Sequence, residues 1–301
     1  MRIVFFGTPD FAAHSLQALI NAGVNVVAVV TAPDKPAGRG MNLQSSAVKL
    51  CAVKNSLPVL QPLKLKDPAF VEELASYKAD LHIVIAFRML PEIVWNMPAK
   101  GTMNLHASLL PDYRGAAPIN WAIINGEKKS GVCTFFLKHE IDTGDILLSR
   151  EVEITPTMNA GELHDILMQT GAELVLESVK KVESGNYSGI PQVQGSTKIA
   201  PKIFKEHCLI QFNQPAEKVY NLIRGMSPYP AAYFQLNGKN MKVFKAEIKK
   251  SSQNLEAGSI DTDGKSFLQI QCADDFISLL EVQPESKKRM SIEDFLRGNK
   301  I

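Results

Sequence analysis

RIVFFG at 2–7, TPDFAAHSLQALINAG at 8–23 and VNVVAVVT at 24–31 decide the fold of this chain. The first and last are short apolar runs rich in β-branched residues, the pattern of strands buried on both faces. Between them Thr8 is placed to cap a helix with Pro9 at its first position. Phe11, Leu16, Leu19 and Ile20 then keep helical spacing until Gly23 stops it. A buried strand, a helix and a second buried strand make a βαβ unit, which builds a parallel sheet.

The alternation continues outward. SSAVKLCAVKNS at 45–56 reads as a helix capped by Ser45, LPVLQP at 57–62 as a short strand, and DPAFVEELASYK at 67–78 as a helix with Asp67 as cap and Pro68 next. ADLHIVIAF at 79–87 is a third long buried strand. LPEIVWNM at 90–97 reads as a helix, GTMNLHAS at 101–108 as a strand, PINWAIINGE at 118–127 as a helix and GVCTFFLKH at 131–139 as a strand. A long amphipathic helix runs from Asn159 to about Glu183, with Glu162 three residues after Asn159 in capping-box position. The pattern predicts an α/β fold: a Rossmann-like, mainly parallel sheet with helices on both faces and its site outside the carboxyl ends of the strands.

From Tyr187 to Lys202 the periodicity dissolves into Gly, Pro, Ser and Thr, the composition of a linker. Beyond it, PAEKVYNLIRGM at 215–226 reads as a helix. AAYFQLN, KVFKAEIK, GSIDTD, FLQIQC and FISLLEVQ follow as five short strands, separated by turn signals such as Asn237-Gly238 and Asp263-Gly264. A small open barrel of the OB type is expected there. The predicted organisation is a first domain over 1–188, a linker over 189–204 and a second domain over 205–301.

Composition excludes several classes. At 301 residues and 45% hydrophobic, the chain can bury more than one core. No apolar run approaches the roughly 20 residues needed to cross a bilayer, and the start meets Pro9 and Asp10 too early for a signal peptide, so a cytoplasmic protein is expected. Cys51, Cys133, Cys208 and Cys272 lie far apart without C-x-x-C spacing, which predicts reduced structural thiols and no metal site. The net charge of +2 divides into −2 over residues 1–188 and +4 over 189–301, a mild basic bias. FGTPDF at 6–11 lacks G-x-G-x-x-G, and Pro9 removes a backbone N–H, which argues against a dinucleotide cradle.

The densest polar stretch is NLHASLLPDYRGAAP at 104–118, followed by IDTGD at 141–145. Asn104 and His106 are two apart and share one side of a strand. Asp142 follows the strand GVCTFFLKH and is placed to reach the same sheet edge. An Asn, a His and an Asp converging there suit acyl transfer to an amine, which needs donors for an oxyanion, a group to move the amine's proton and a carboxylate to orient the imidazole. Spacing alone leaves other readings open: a buried structural His106, a turn-forming Asp142 before Thr-Gly, or a pairing of Asp142 with His139.

NLHASLLPDYRGAAP with a downstream DTGD resembles the signature of the folate-dependent formyltransferase family. FGTPDF, DKPAGRG at 34–40, LPVLQP and SPYPAA at 227–232 resemble its methionyl-tRNA branch in order and spacing, so the resemblance covers essentially the whole chain. It implies Asn104, His106 and Asp142 as the catalytic set. It also implies a folate site formed by Ser108, Leu109, Leu110 and Pro111 together with the strand end at Phe87, Arg88 and Met89. Arg88 and Phe87 stand where members of the family usually carry Gly and Tyr.

The implied reaction moves the formyl group of 10-formyltetrahydrofolate to the amino group of initiator methionyl-tRNA. DKPAGRG, with Lys35 and Arg39, would meet the tRNA acceptor end. Lys245, and Lys287 in the cluster Lys287, Lys288 and Arg289, are further expected phosphate contacts, and the chain is expected to act as a monomer. Two other readings stay open: a folate-dependent formyltransferase of amino sugar nucleotides, and a nonenzymatic RNA-binding protein.

Overall fold

In the computed structural model of the chain, residues 1–37, 42–185, 187–193, 195, 198–251, 255–299 and 301 are described. They form two compact units, Met1–Arg114 with Gly131–Val152 and Asp165–Lys198, and Gly115–Ser130 with Glu153–His164 and Ile199–Ile301.

The elements begin with β1 (Ile3–Gly7), α1 (Asp10–Asn21), β2 (Val26–Val30), β3 (Lys35–Ala37), β4 (Asn42–Gln44), α2 (Ala47–Lys54), β5 (Val59–Leu60), α3 (Pro68–Ser76) and β6 (Leu81–Ile85). They continue with α4 (Glu92–Trp95), β7 (Thr102–His106), β8 (Arg114–Gly115), α5 (Pro118–Ile124), β9 (Lys129–Phe136), β10 (Ile146–Glu153), α6 (Ala160–Glu183) and β11 (Ile199–Ala200). A seven-stranded sheet runs in the order β10-β9-β7-β6-β1-β2-β5. Strands β7, β6, β1, β2 and β5 are parallel, whereas β9 is antiparallel to β7.

Helices cover both faces, as the alternation predicts. On one, Val4, Phe6, Ala28, Val30 and Val84 pack with Phe70 and Leu74 of α3 and Val94 of α4. On the other, Ser178 of α6 shares a 2.7 Å hydrogen bond with Thr134 of β9, and a Cβ added at Gly171 would lie 2.8 Å from Leu105. That glycine lets α6 lie close on the sheet. At the first βα turn a Cβ on Gly7 would meet the Cβ of Ala12 at 2.6 Å, so the glycine serves strand-to-helix packing.

Two helix starts differ by one residue from expectation. Pro9 is extended (φ −79°, ψ 178°) and is itself the cap of α1, its carbonyl accepting from the Ala12 and Ala13 amides, so Thr8 lies outside the helix. Ser46, not Ser45, caps α2 by accepting from the Lys49 amide. Asp67 caps α3 as expected. Asn159 and Glu162 form the expected reciprocal capping box, each accepting from the other's backbone amide. Strand β10 is not legible in the sequence, because its half-exposed residues give a weak apolar signal.

The second unit contains α7 (Ala216–Met226), β12 (Ala232–Leu236), β13 (Lys239–Lys249), β14 (Ile260–Thr262), β15 (Leu268–Gln271), β16 (Phe276–Pro284), β17 (Met290–Ser291) and α8 (Ile292–Arg297). Its antiparallel sheet is ordered β12-β13-β16-β15-β14, with β17 on β16, so the chain from β13 to β14 crosses two strands. This is the open barrel type expected of the region. Val219, Ile223 and Met226 of α7 close it over Val243, Ile270, Ile277 and Leu279. The β12–β13 hairpin turns at Asn237 and Gly238, both at positive φ (51° and 75°), which Asn-Gly adopts at little cost.

Candidate active site

Strands β6 and β7 pair side by side, and their carboxyl ends bring two predicted groups together. Val84 is in register with Asn104, so Asn104 and His106 lie on the sheet face that carries Phe6 and Val84. Asn104 is half-buried and His106 is 8% exposed. The His106 ring donates from Nε2 to the Tyr113 carbonyl at 2.9 Å, which turns Nδ1 toward the Asp142 carboxylate, 3.9 Å away. A neutral ring held this way carries its proton on Nε2.

Asp142 reaches this place by a route the strand order does not suggest. Because β9 is antiparallel to β7, Phe136 pairs with Met103 and the strand ends beside the amino end of β7. The loop over 137–145 must therefore run back along the sheet to bring Asp142 to His106. Two features fold it. A Cβ added at Gly144 would sit 1.6 Å from the Phe136 carbonyl oxygen, so only glycine fits, and Asp142 takes positive φ (55°), a region Asp tolerates better than most residues.

His139, the other pairing open to Asp142, instead lies 3.4 Å from Glu92 and edge-on to Trp95. Cys133 is in register with His106, but burial pushes its thiol up to about 11, so it stays protonated and is no nucleophile. All four cysteines are free.

The residues expected to hold folate flank the set. Ser108 is buried and donates to the Asp112 carbonyl at 2.6 Å, closing the turn that contains the cis Leu110-Pro111 bond. Leu110 packs with Cys133 and Phe135, and Leu109 lies against them. Phe87 packs edge-on to Phe6. The backbone freedom needed at the end of β6 falls on Ala86 (φ 47°), and Arg88 is absent from the positive-φ positions. Its guanidinium turns away to the carbonyls of Pro62 and Leu63, and Met89 is 73% exposed. Beside these residues a cleft of about 610 Å³ is lined by Trp95, Arg114, Lys138, His139, Thr143 and Gln192.

Of the expected phosphate contacts, those among the described residues are exposed. Lys35 is exposed at the start of the β3–β4 hairpin, whose entry is anchored by Asp34; the hydrogen bond from Lys49, with Gln61, holds the Asp34 carboxyl below its usual range. Arg39 lies outside the described residues. In the second unit Lys245 is exposed at a break in the β13–β16 register, and Lys287 is exposed in a turn. Arg289 is engaged by Glu281 and lies over the Phe244 ring at 4.3 Å.

Two side chains in contact with the site had no role in the sequence reading. Arg114 belongs to the long motif, and Gln192 lies in the stretch read as linker. Gln192 donates from Nε2 to the carbonyls of Asp142 and Gly144, both at 2.8 Å. No sequence signal marks it, because its partners are about fifty residues away.

Residues 1–179 match the family described as formyl transferase, and residues 202–300 match formyl transferase, C-terminal domain. The chain is 54% identical to the methionyl-tRNA formyltransferase of Parabacteroides distasonis, covering 100% of this chain and 96% of that protein. It is 52% identical to the methionyl-tRNA formyltransferase of Bacteroides fragilis, covering 99% and 95%. Among solved structures, the N-formyltransferase from Helicobacter canadensis in complex with folinic acid and dTDP-3-aminofucose aligns with a TM-score of 0.70 at 19% identity, covering 94% of this chain and 98% of that one. This last likeness is of the fold.

Proposed function

Because the chain belongs to the methionyl-tRNA formyltransferase family, we propose that it transfers the formyl group of 10-formyltetrahydrofolate to the amino group of initiator methionyl-tRNA. The observation that carries this reading is the approach of Asp142 to His106, beside Asn104, in a chain so similar to those enzymes over its whole length.

The roles follow from the chemistry. The amine nitrogen attacks the formyl carbon, a C–N bond forms, and the carbonyl electron pair moves to oxygen. Asn104 donates from its carboxamide to that oxyanion. His106 already spends its Nε2–H on Tyr113, so a second donation must come from Nδ1–H. A ring donating from both nitrogens is an imidazolium, and the Asp142 carboxylate faces that charge. Asp142 takes the amine's proton, directly or through a water, and returns it to folate N10 as the oxyanion re-forms the carbonyl and the bond from the formyl carbon to N10 breaks. We place the folate between Ser108, Leu109, Leu110 and Pro111 on one side and Phe87, Arg88 and Met89 on the other. Lys35, Arg39, Lys245 and Lys287 are assigned to tRNA phosphates, whose contacts would weaken with salt.

We retain 1–188, 189–204 and 205–301 as functional limits, and we take the enzyme to be a cytoplasmic monomer; no helix among the described residues is long and apolar enough to cross a membrane. The test supplies the protein with 10-formyltetrahydrofolate and either charged initiator tRNA or an amino sugar nucleotide. Formylation of the tRNA-bound methionine alone is expected. Formylation of the sugar amine alone refutes the assigned acceptor.

A further inference from the structure

The stretch after α6 does more than connect. Gln192 has both ends of its carboxamide filled: Oε1 accepts from Nε and Nη2 of Arg114, and Nε2 donates to the carbonyls of Asp142 and Gly144. Two accepted and two donated bonds exhaust what a primary amide can make. The two carbonyls it holds flank the tightest part of the 137–145 loop, where Asp142 sits at positive φ and Gly144 presses on Phe136. A backbone conformation of this kind persists only when its surroundings hold it.

The same stretch reaches the other half of the pair. The Lys198 carbonyl accepts from the Tyr113 amide at 2.8 Å, and the Tyr113 carbonyl accepts from His106. Arg114 is the next residue, so one arm leads to His106 and the other, through Arg114 and Gln192, to Asp142. The geometry points to Gln192, oriented by Arg114, as a positioning residue that sets Asp142 against His106. This rests on the formyl-transfer reading for its effect on turnover, but not for its effect on the loop.

Removing Gln192 should leave the chain folded. Ile190 and Ile146 exchange both backbone hydrogen bonds at 2.8 Å, which ties the stretch to the start of β10 independently of the carboxamide. In Gln192→Ala, kcat is expected to fall about 10²-fold, the scale of a misplacement near 1 Å, with KM for folate and tRNA little changed. Gln192→Glu keeps the Arg114 bonds but sets a carboxylate against two carbonyls, and is expected to fall at least as far. Arg114→Lys keeps the charge, loses the fork and falls less.

The decisive comparison adds Gln192→Ala to Asp142→Asn. A residue acting through Asp142 costs nothing further there, whereas a residue that only stabilises the fold costs its full factor again. Amide hydrogen exchange over 141–146 reads the strut without turnover and is expected to rise in Gln192→Ala. An unchanged exchange rate, an unchanged kcat or a fully additive double variant each overturns the proposal. A wild-type protein that fails to formylate charged initiator tRNA refutes the assigned reaction instead, and the exchange measurement still decides the strut.

Discussion

Gly144→Ala is the substitution whose consequence the geometry specifies most narrowly. The new Cβ would lie 1.6 Å from the Phe136 carbonyl oxygen, 2.8 Å from its carbon and 3.1 Å from the Phe135 ring. Real Cβ contacts do not fall below 3.0 Å, so loop and strand must separate by about 1.4 Å. Phe136 is fixed in β9 by its pairing with Met103, so the loop yields first. Asp142 lies two residues away and moves with it, and a displacement above 1 Å in a catalytic group costs on the order of 10²-fold in rate. The assay is steady-state formylation of charged initiator tRNA, with folate binding by fluorescence and the melting temperature measured on the same preparations. We expect kcat to fall about 10²-fold or more, and folate affinity to fall much less, because Phe87 and Ser108–Pro111 are not on the loop. Near-normal turnover in a folded Gly144→Ala protein would refute both the tightness of the loop and its role in placing Asp142.

Further outcomes follow from the same reasoning. Asn104→Ala, His106→Ala and Asp142→Asn are each expected to lower kcat by a factor of about 10² or more while the far-ultraviolet circular dichroism spectrum is retained; turnover close to normal in all three discards the set. Burial pulls the pKa of His82, packed at 5.0 Å from Phe6, down from 6.5 to about 4, more than the Val94 backbone raises it. The unfolded chain therefore binds the extra proton, and stability present above pH 6.5 is lost as pH falls through the window from 6.5 to 4, by up to about 3 kcal/mol. Denaturation at pH 7 and 4.5 should show this slope, and His82→Phe should flatten it; equal slopes contradict it. Arg39→Ala is expected to raise KM for charged tRNA more than KM for folate, so an equal rise in both would discard a tRNA role for that loop.

Local physical chemistry made much of this molecule legible from residue order. Buried runs such as VNVVAVVT and LHIVI can satisfy their apolar faces only inside a helix-covered sheet, and Asp67, the Asn159–Glu162 box and Asn237-Gly238 act over a few residues. The side shared by Asn104 and His106 also follows from the two-residue period of a strand. Tertiary structure alone decided the rest. Periodicity carries no strand direction, so neither the antiparallel entry of β9 nor the route by which its loop brings Asp142 back to His106 could be read, and spacing alone left the choice between His106 and His139 open. Gln192 was indistinguishable from linker because its four hydrogen bonds go to residues 48 to 78 positions away, a separation over which no local pattern persists and only the closed fold brings the groups into reach.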